Sequence, residues 1–291
     1  PTYPTPNSYS AGFGTTTAGV IAGGGTGPSA PGVTTTTEYS GGSWTSGGAL
    51  PLLRRWSGTS GTATAGLIFL GQTPPNVMAN TDSYDGTSWT AEAAANTKRT
   101  GWFGGNMGSG TQTSAMMAGG WTPFTPSPTE TERYDGNTWS IGPTLGSGMQ
   151  YNSGGGSFSS GITTGGGVPG VVATTQEFNT SIYSPTAATW ASGGNLNQAK
   201  SGLASAQAGT QNAALAVAGY VGPPGVTTNV EEYDGSSWSE VNNNTTGRES
   251  FAGCGTQPAA LVFGGSSPSS PSAGFDATEE YDGTNWTSGG N

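Results

Sequence analysis

The 291-residue chain contains no histidine, and this absence excludes several classes of catalytic and metal site together. Copper sites and most zinc sites use imidazole ligands, and Ser-His-Asp triads and histidine acid–base catalysis need the ring itself. The enzyme class that remains is a glycosidase with paired carboxylates. We keep a glycosidase only as the third hypothesis, and we expect no catalytic residue, no metal site and no cofactor.

Positive charge is also scarce, with 7 Lys and Arg residues against 17 Asp and Glu and a formal net charge of −10. Nucleic acid and anionic membranes attract proteins that carry a positive field, so we expect neither as a partner. The sequence has no apolar run near the roughly 18 residues of a membrane helix and no signal-peptide pattern, which predicts no membrane insertion.

The single cysteine, Cys254, excludes an intrachain disulfide. Its Gly- and Ala-rich neighbours predict a small buried thiol and not a reactive one. The chain begins at Pro1 and stops at Asn291 within a repeated segment, which suggests a piece of a longer protein.

Tryptophan, in contrast, recurs at intervals of 45 to 51 residues. The repeated residues are Trp44, Trp89, Trp139, Trp190, Trp238 and Trp286. Their tyrosine partners, five residues earlier in most repeats, are Tyr39, Tyr84, Tyr134, Tyr233 and Tyr281. In the irregular fourth repeat we assign Tyr183, with Phe178 as a competing candidate. Such a period, built from short strands and turns, indicates one β-propeller blade per repeat.

We predict an all-β, six-bladed propeller with four-stranded antiparallel blades. The expected blades are approximately residues 1–50, 51–95, 96–146, 147–196, 197–245 and 246–291. Four repeats carry Tyr-Asp-Gly-x-x-Trp, where Asp and Gly favour a tight hairpin and place Tyr and Trp on neighbouring strands between blades. Because the blades are unsplit, ring closure must depend on face packing or on sequence beyond the ends.

A diglycine after the second strand, as in Gly264-Gly265, followed by the Tyr and Trp, resembles the kelch repeat over the whole chain. In kelch proteins an arginine often opens the inner strand, and Arg55, Arg99 and Arg248 match that place, with Lys200 as a substitute. The motif Glu-Glu-Tyr-Asp-Gly-x-x-Trp is similar to kelch-type repeats in virion proteins of marine tailed phages. This resemblance implies a structural or adhesion domain of a tail fibre or other particle appendage.

Carboxylates gather just before the repeat tyrosines, at Glu38, Asp82, Glu132, Glu231, Glu232, Glu279 and Glu280. The preferred interpretation is a solvated outer strand whose charge prevents edge pairing, and the alternative is weak calcium binding. Six cations lie at blade boundaries, among them Arg54, Lys98 and Lys200. They either lock the blades together or form a cationic rim for an anionic ligand or partner subunit.

Aromatic residues outside the repeat frame are candidate binding residues. Trp121 and Phe124 lie in the third long, proline-containing loop, and Tyr220 lies in the fifth. Proline limits the entropy lost when a loop is ordered, and exposed aromatics stack on sugars or anchor protein interfaces. Packing over the adjacent blade is the alternative for these side chains.

The leading hypothesis is a non-enzymatic virion domain that binds a host surface glycan or another virion protein. The second hypothesis is a secreted or cell-surface bacterial propeller that acts as a lectin, and the third is a propeller glycosidase.

Overall fold

The computed structural model describes residues 3, 4, 6–27, 31–101, 108–123, 128–167, 170–180, 189–205, 209–223, 225–268 and 274–289. Blade one contains β1 (Ala11–Gly14), β2 (Ala18–Ala22), β3 (Thr36–Ser40) and β4 (Trp44–Ser46). Blade two contains β5 (Gly58–Thr62), β6 (Ala65–Phe69), β9 (Thr81–Tyr84) and β10 (Trp89–Glu92), with a small hairpin of β7 (Gln72–Thr73) and β8 (Asn76–Val77).

The other four blades repeat this arrangement. Blade three contains β11 (Gly108–Thr111), β12 (Ser114–Ala118), β13 (Thr131–Tyr134) and β14 (Trp139–Ile141), and blade four β15 (Ser153–Gly156), β16 (Ser160–Thr164), β17 (Thr175–Asn179) and β18 (Thr189–Ser192). Blade five contains β19 (Ala204–Ser205), β20 (Ala214–Tyr220), β21 (Val226–Tyr233) and β22 (Trp238–Val241), and blade six β23 (Ala252–Thr256), β24 (Ala259–Phe263), β25 (Thr278–Tyr281) and β26 (Trp286–Ser288).

In every blade the four strands pair antiparallel and follow one another in chain order. The prediction of an all-β, six-bladed propeller is therefore confirmed. Within the described residues there is no helix that is both long and apolar enough to span a membrane.

The Asp-Gly turn fixes the register of the outer hairpin. In blade two, Asp85 Oδ1 accepts hydrogen bonds from the N–H groups of Thr87 and Ser88, at 2.8 and 2.7 Å. Gly86 has φ of 94°, a conformation that favours glycine. Tyr84 then pairs directly with Trp89 across the two strands. The predicted hairpin mechanism is confirmed, and it recurs at Asp135, Asp234 and Asp282.

The paired aromatic side chains pack against the preceding blade. In blade six the rings of Tyr281 and Trp286 are stacked, with centroids 4.8 Å apart, and they share a core cluster with Leu215 and Val217 of blade five. This position agrees with the expected packing between blades.

In blade four, Phe178 takes the place of the repeat tyrosine. It pairs with Trp190 across the hairpin, and their ring centroids lie 5.3 Å apart. The assignment of Tyr183 as the partner of Trp190 is therefore corrected to Phe178, and Tyr183 itself lies outside the described residues.

A series of backbone hydrogen bonds links all six blades near the axis. The donors and acceptors, at equivalent places before the first strands, run from Gly101 to Trp56, Tyr9, Ser250, Gly202 and Tyr151, with distances of 2.8 to 3.1 Å. Among them Tyr9, Trp56, Tyr151 and Ser250 have φ between 56 and 63°. The chain thus accepts backbone strain at the residues that join neighbouring blades.

Blade six meets blade one by packing of faces, without a shared strand. The Tyr39 hydroxyl donates to Glu280 at 2.9 Å, and Trp44 packs edge-on against Phe263 with centroids 6.1 Å apart. Tyr9 also joins the two blades, because its N–H donates to the Ser250 carbonyl at 3.0 Å. Closure therefore uses the same kinds of contact as the other blade boundaries.

Candidate functional site

Four of the six boundary cations lie in buried ion pairs. The pairs are Arg54–Asp82, Arg99–Glu132 (2.7 Å), Lys200–Glu231 (3.1 Å) and Arg248–Glu279. Each cation precedes the first strand of a blade, and its carboxylate lies on the third strand of that blade. Of the two alternatives for these cations, a cationic rim is wrong for Arg54 and Lys200, because the side chains of both are 0% exposed.

Arg54, and not Arg55, occupies the repeated arginine position. The Arg54 carbonyl accepts from Gly24 of the preceding blade at 2.8 Å, as the Arg99 carbonyl accepts from Gly71 at 3.0 Å. The backbone of each boundary cation therefore binds the blade before it, while the side chain binds the blade after it. Arg55 is one residue further on, with its guanidinium 3.9 Å from the centroid of the Trp56 ring.

The carboxylates of these pairs also hold the connection between blades. Glu132 accepts hydrogen bonds from the N–H groups of Asn96 and Thr97, at 2.8 and 3.1 Å, in addition to the Arg99 guanidinium. The preferred interpretation of a solvated outer strand is wrong for Asp82, Glu132, Glu231 and Glu279, all of which are buried. In the described part of the chain, no group of acidic residues and Cys254 could hold a metal ion.

The carboxylates one residue closer to the tyrosine bind the next blade. Tyr84 donates its hydroxyl to Glu38 of blade one, and Tyr281 donates to Glu232 of blade five at 2.9 Å. These acceptors contribute to the raised pKa of both tyrosines, after burial as the larger cause. This second set of carboxylates is thus structural as well.

Blade four replaces the ion pair with a neutral pair. Met149 and Gln176 stand at the cation and carboxylate positions, and the Gln176 amide donates to the Met149 sulfur at 3.0 Å. Gln176 Oε1 still accepts from the Gly146 N–H at 2.7 Å. Both partners change together because a single buried charge without its partner is costly.

Trp121 and Tyr220 occupy equivalent places: Trp121 lies three residues after β12 of blade three, and Tyr220 is the last residue of β20 of blade five. Trp121 bridges to Thr100, and Tyr220 bridges to Ser201, in each case next to a boundary cation. Both aromatic side chains are half-buried. The structure therefore places them on the same end of the propeller, while Phe124 lies outside the described residues.

A cavity of about 370 Å³ opens beside Tyr220, between blades four, five and six. We call it the cup; its lining residues are Gln150, Tyr151, Gly167, Gly170, Val171, Ser201, Tyr220, Glu249 and Pro268. Two tyrosines and two aliphatic residues give apolar walls, and Gln150, Ser201 and Glu249 give polar groups. Burial raises the pKa of Glu249 to about 7. Aromatic walls with a few polar groups are typical of small-molecule sites.

Of the predicted binding residues that the structure describes, Tyr220 alone lines the cup. Lys98 is exposed and lines a separate cavity of about 500 Å³ with residues of blades two and three, including Pro75 and Pro123. Trp121 is not among the residues that line either cavity.

Sequence reasoning missed Gln150, Tyr151 and Glu249. A usable signal exists, since Gln150, Ser201 and Glu249 each follow directly the residue at the boundary-cation position. Aligning the blade connections as well as the Tyr and Trp would have placed all three at one end of the propeller.

No family model matches the sequence, and no curated protein is similar to it in sequence. The fold is similar to that of YjhT in its solved structure, with a TM-score of 0.73 and 13% sequence identity over 99% of each chain. At this identity the likeness shows the β-propeller fold alone, because one fold hosts many functions.

Proposed function

We propose that this propeller is a non-enzymatic adhesion domain of a virion appendage, with kelch-type repeats, and that it binds a host surface glycan in the cup. The observation that carries this proposal is the cup itself, where Tyr151 and Tyr220 stand beside Gln150, Ser201 and Glu249. Tyrosine combines an apolar ring face with a polar hydroxyl, which suits a sugar that has C–H faces and hydroxyl edges.

The size and rigidity of the cup agree with such a ligand. Its volume of about 370 Å³ lies at the lower end of ligand pockets and has room for one or two sugar rings. The floor is joined by backbone bonds, since Ser201 and Tyr220 exchange N–H···O=C hydrogen bonds of 2.9 and 2.7 Å. A preformed site loses little entropy when a ligand binds.

Binding without turnover is favoured over glycosidase action by the arrangement of carboxylates. A glycosidase uses two carboxyl groups about 5 to 10 Å apart across the scissile bond. Of the residues that line the cup, Glu249 alone carries a carboxylate. The similarity of the repeat to those of phage virion proteins supports placement on a particle surface. The second candidate function is a secreted bacterial lectin that binds its sugar in the same cup.

The test is binding of the purified domain to an array of bacterial surface oligosaccharides, with Tyr220→Ala and Tyr220→Phe as variants. We expect Tyr220→Ala to weaken binding about tenfold or more, because the stacking face is lost, and Tyr220→Phe to retain most of it. Trp121 lies outside the cup, so Trp121→Ala should weaken the binding of longer oligosaccharides only. Binding to no glycan, or equal binding by Tyr220→Ala with its fold intact, would overturn the proposal. Binding only to particles of the source would indicate an architectural role.

A further inference from the structure

Glu249 lines the cup, and it has no balancing cation among the described residues. Its side chain is half-buried, and in the described part of the protein it forms no ion pair. The four buried carboxylates at the blade boundaries, in contrast, all face a cation. Glu249 therefore has hydrogen-bond capacity that the fold itself does not use.

The cations of the chain are committed elsewhere. Four are in the buried pairs, and Arg55 is 4% exposed, covers Trp56 and donates to the Gly27 carbonyl at 3.2 Å. Arg133 lies over the Phe158 ring, 3.7 Å from its centroid. Lys98 is the one exposed cation among the seven Lys and Arg, all of which are described, and it lines the other cavity. No exposed cation is thus available to the cup.

We infer that the cup takes a neutral sugar whose hydroxyl groups donate hydrogen bonds to the Glu249 carboxylate, and that it rejects uronic and other acidic sugars. This inference rests on the proposed function and names its ligand class. A carboxylate accepts from two neighbouring hydroxyls at once, and bonds to a charged acceptor are stronger than neutral ones. Gln150 and Ser201 add neutral donors and acceptors that fit hydroxyl groups equally well.

An acidic sugar meets the opposite situation. Its carboxylate would enter a partly desolvated space beside Glu249, where repulsion between like charges is stronger than in water. The net charge of −10 extends this repulsion to the approach of the ligand. Selectivity thus comes from a repulsive group as well as from attractive contacts.

The experiment compares matched pairs of ligands at pH 8, where Glu249 is ionised. Each neutral oligosaccharide bound on the array is compared with the form in which the terminal CH₂OH is oxidised to a carboxylate. We expect wild-type protein to bind the neutral member about tenfold more tightly. Glu249→Gln should reduce this preference to about threefold or less, because the amide keeps the shape and loses the charge.

Glu130→Gln is the matched control, since Glu130 is exposed and lines the cavity that contains Lys98. It removes the same charge from the molecule and should keep the wild-type preference. Equal or tighter binding of acidic sugars by wild-type protein, or a preference unchanged in Glu249→Gln, overturns this inference and leaves the glycan-binding proposal standing. Binding to no glycan overturns both.

Discussion

At the residue scale, a threonine of one blade accepts the indole hydrogen bond of the next blade's tryptophan. Trp89 donates to Thr36, Trp139 to Thr81 and Trp238 to Thr175, each at 2.9 to 3.0 Å. Each of these threonines lies three residues before the tyrosine position. Blade five has Val230 there, and the buried Trp286 indole N–H has no hydrogen-bond partner in the part of the chain that the structure describes.

The Val230→Thr substitution should therefore reduce stability less than the burial of a hydroxyl group that finds no hydrogen-bond partner. We expect it to cost about 1 kcal/mol less than Val217→Thr, because the new hydroxyl can accept from Trp286 and satisfy a buried donor. Val217 is a suitable control, since both valines are 0% exposed and belong to the same core cluster. Urea unfolding of the two variants measures the difference in their free energies of unfolding. Equal losses of stability would contradict the interpretation that the Trp286 indole N–H lacks an acceptor at position 230.

At the element scale, the connection between blades depends on a charge pair that the chain itself replaces once. Arg99 donates to Glu132 and to the carbonyls of Gly119 and Glu130, so its guanidinium joins the end of β12 to the start of β13. Met149 and Gln176 fill the same places in blade four without charge. The connection between blades can therefore be held by a charged pair or by a neutral pair, provided that both partners change together.

We predict that Arg99→Met and Glu132→Gln are strongly coupled. Each single change leaves one buried charge without its partner and should cost about 3–5 kcal/mol. The double variant copies blade four and should recover at least half of the summed loss, as measured by a double-mutant cycle in urea. Additive losses would show that the ion pair and the neutral pair are not interchangeable in this frame.

The period of the tryptophans and the Asp-Gly turn were enough to predict the blades, because both act through local strand and turn geometry. The prediction that these carboxylates are solvated was wrong, and strand geometry explains why. Alternate residues of a strand share a face, so a carboxylate two residues before a buried tyrosine is buried with it, and its neighbour lies on the other face. The same alternation, Thr175-Gln176-Glu177-Phe178, identifies Phe178 over Tyr183.

The cup was less predictable than the blades. It is built from Tyr151, Glu249 and Tyr220, which are far apart in the chain and belong to three blades. The first two lie in the connections between blades, outside the Tyr and Trp frame, and only their places one or two residues after the boundary-cation position mark them. Their convergence depends on how the connections are stacked round the axis, and the Tyr and Trp spacing does not contain that information.

At the scale of the whole molecule, the boundary between blades three and four differs from the others. Phe178 has no hydroxyl to donate, and blade three has Arg133 where blades one, four, five and six have a glutamate and blade two has Ser83. Arg133 instead covers Phe158 and Phe178, with distances of 3.7 and 5.6 Å to the ring centroids. Blade four also carries the neutral Met149–Gln176 pair. The tyrosine–glutamate hydrogen bond that joins blades one and two, four and five, five and six, and six and one is replaced here by cation–π contacts, and the buried ion pair by a neutral pair.

We predict that the ring opens first between blades three and four. Native-state hydrogen exchange should show lower protection for amides of β11 and β15, which face each other there, than for those of β1 and β23 at the closure between blades six and one. The closure keeps the Tyr39–Glu280 hydrogen bond and is the internal comparison. Lower protection at β1 and β23 would instead place the weak boundary where the chain ends meet.

The backbone hydrogen bonds that run from Gly101 round to Tyr151 have an electrostatic consequence. Peptide dipoles that follow one another head to tail round most of a circle have a small vector sum, because dipoles on opposite sides of the circle point in opposite directions. A helix N-terminus, by contrast, adds its dipoles along one axis and attracts anions. This set of hydrogen bonds therefore contributes little net field at its end of the propeller, unlike the aligned peptides of a helix N-terminus.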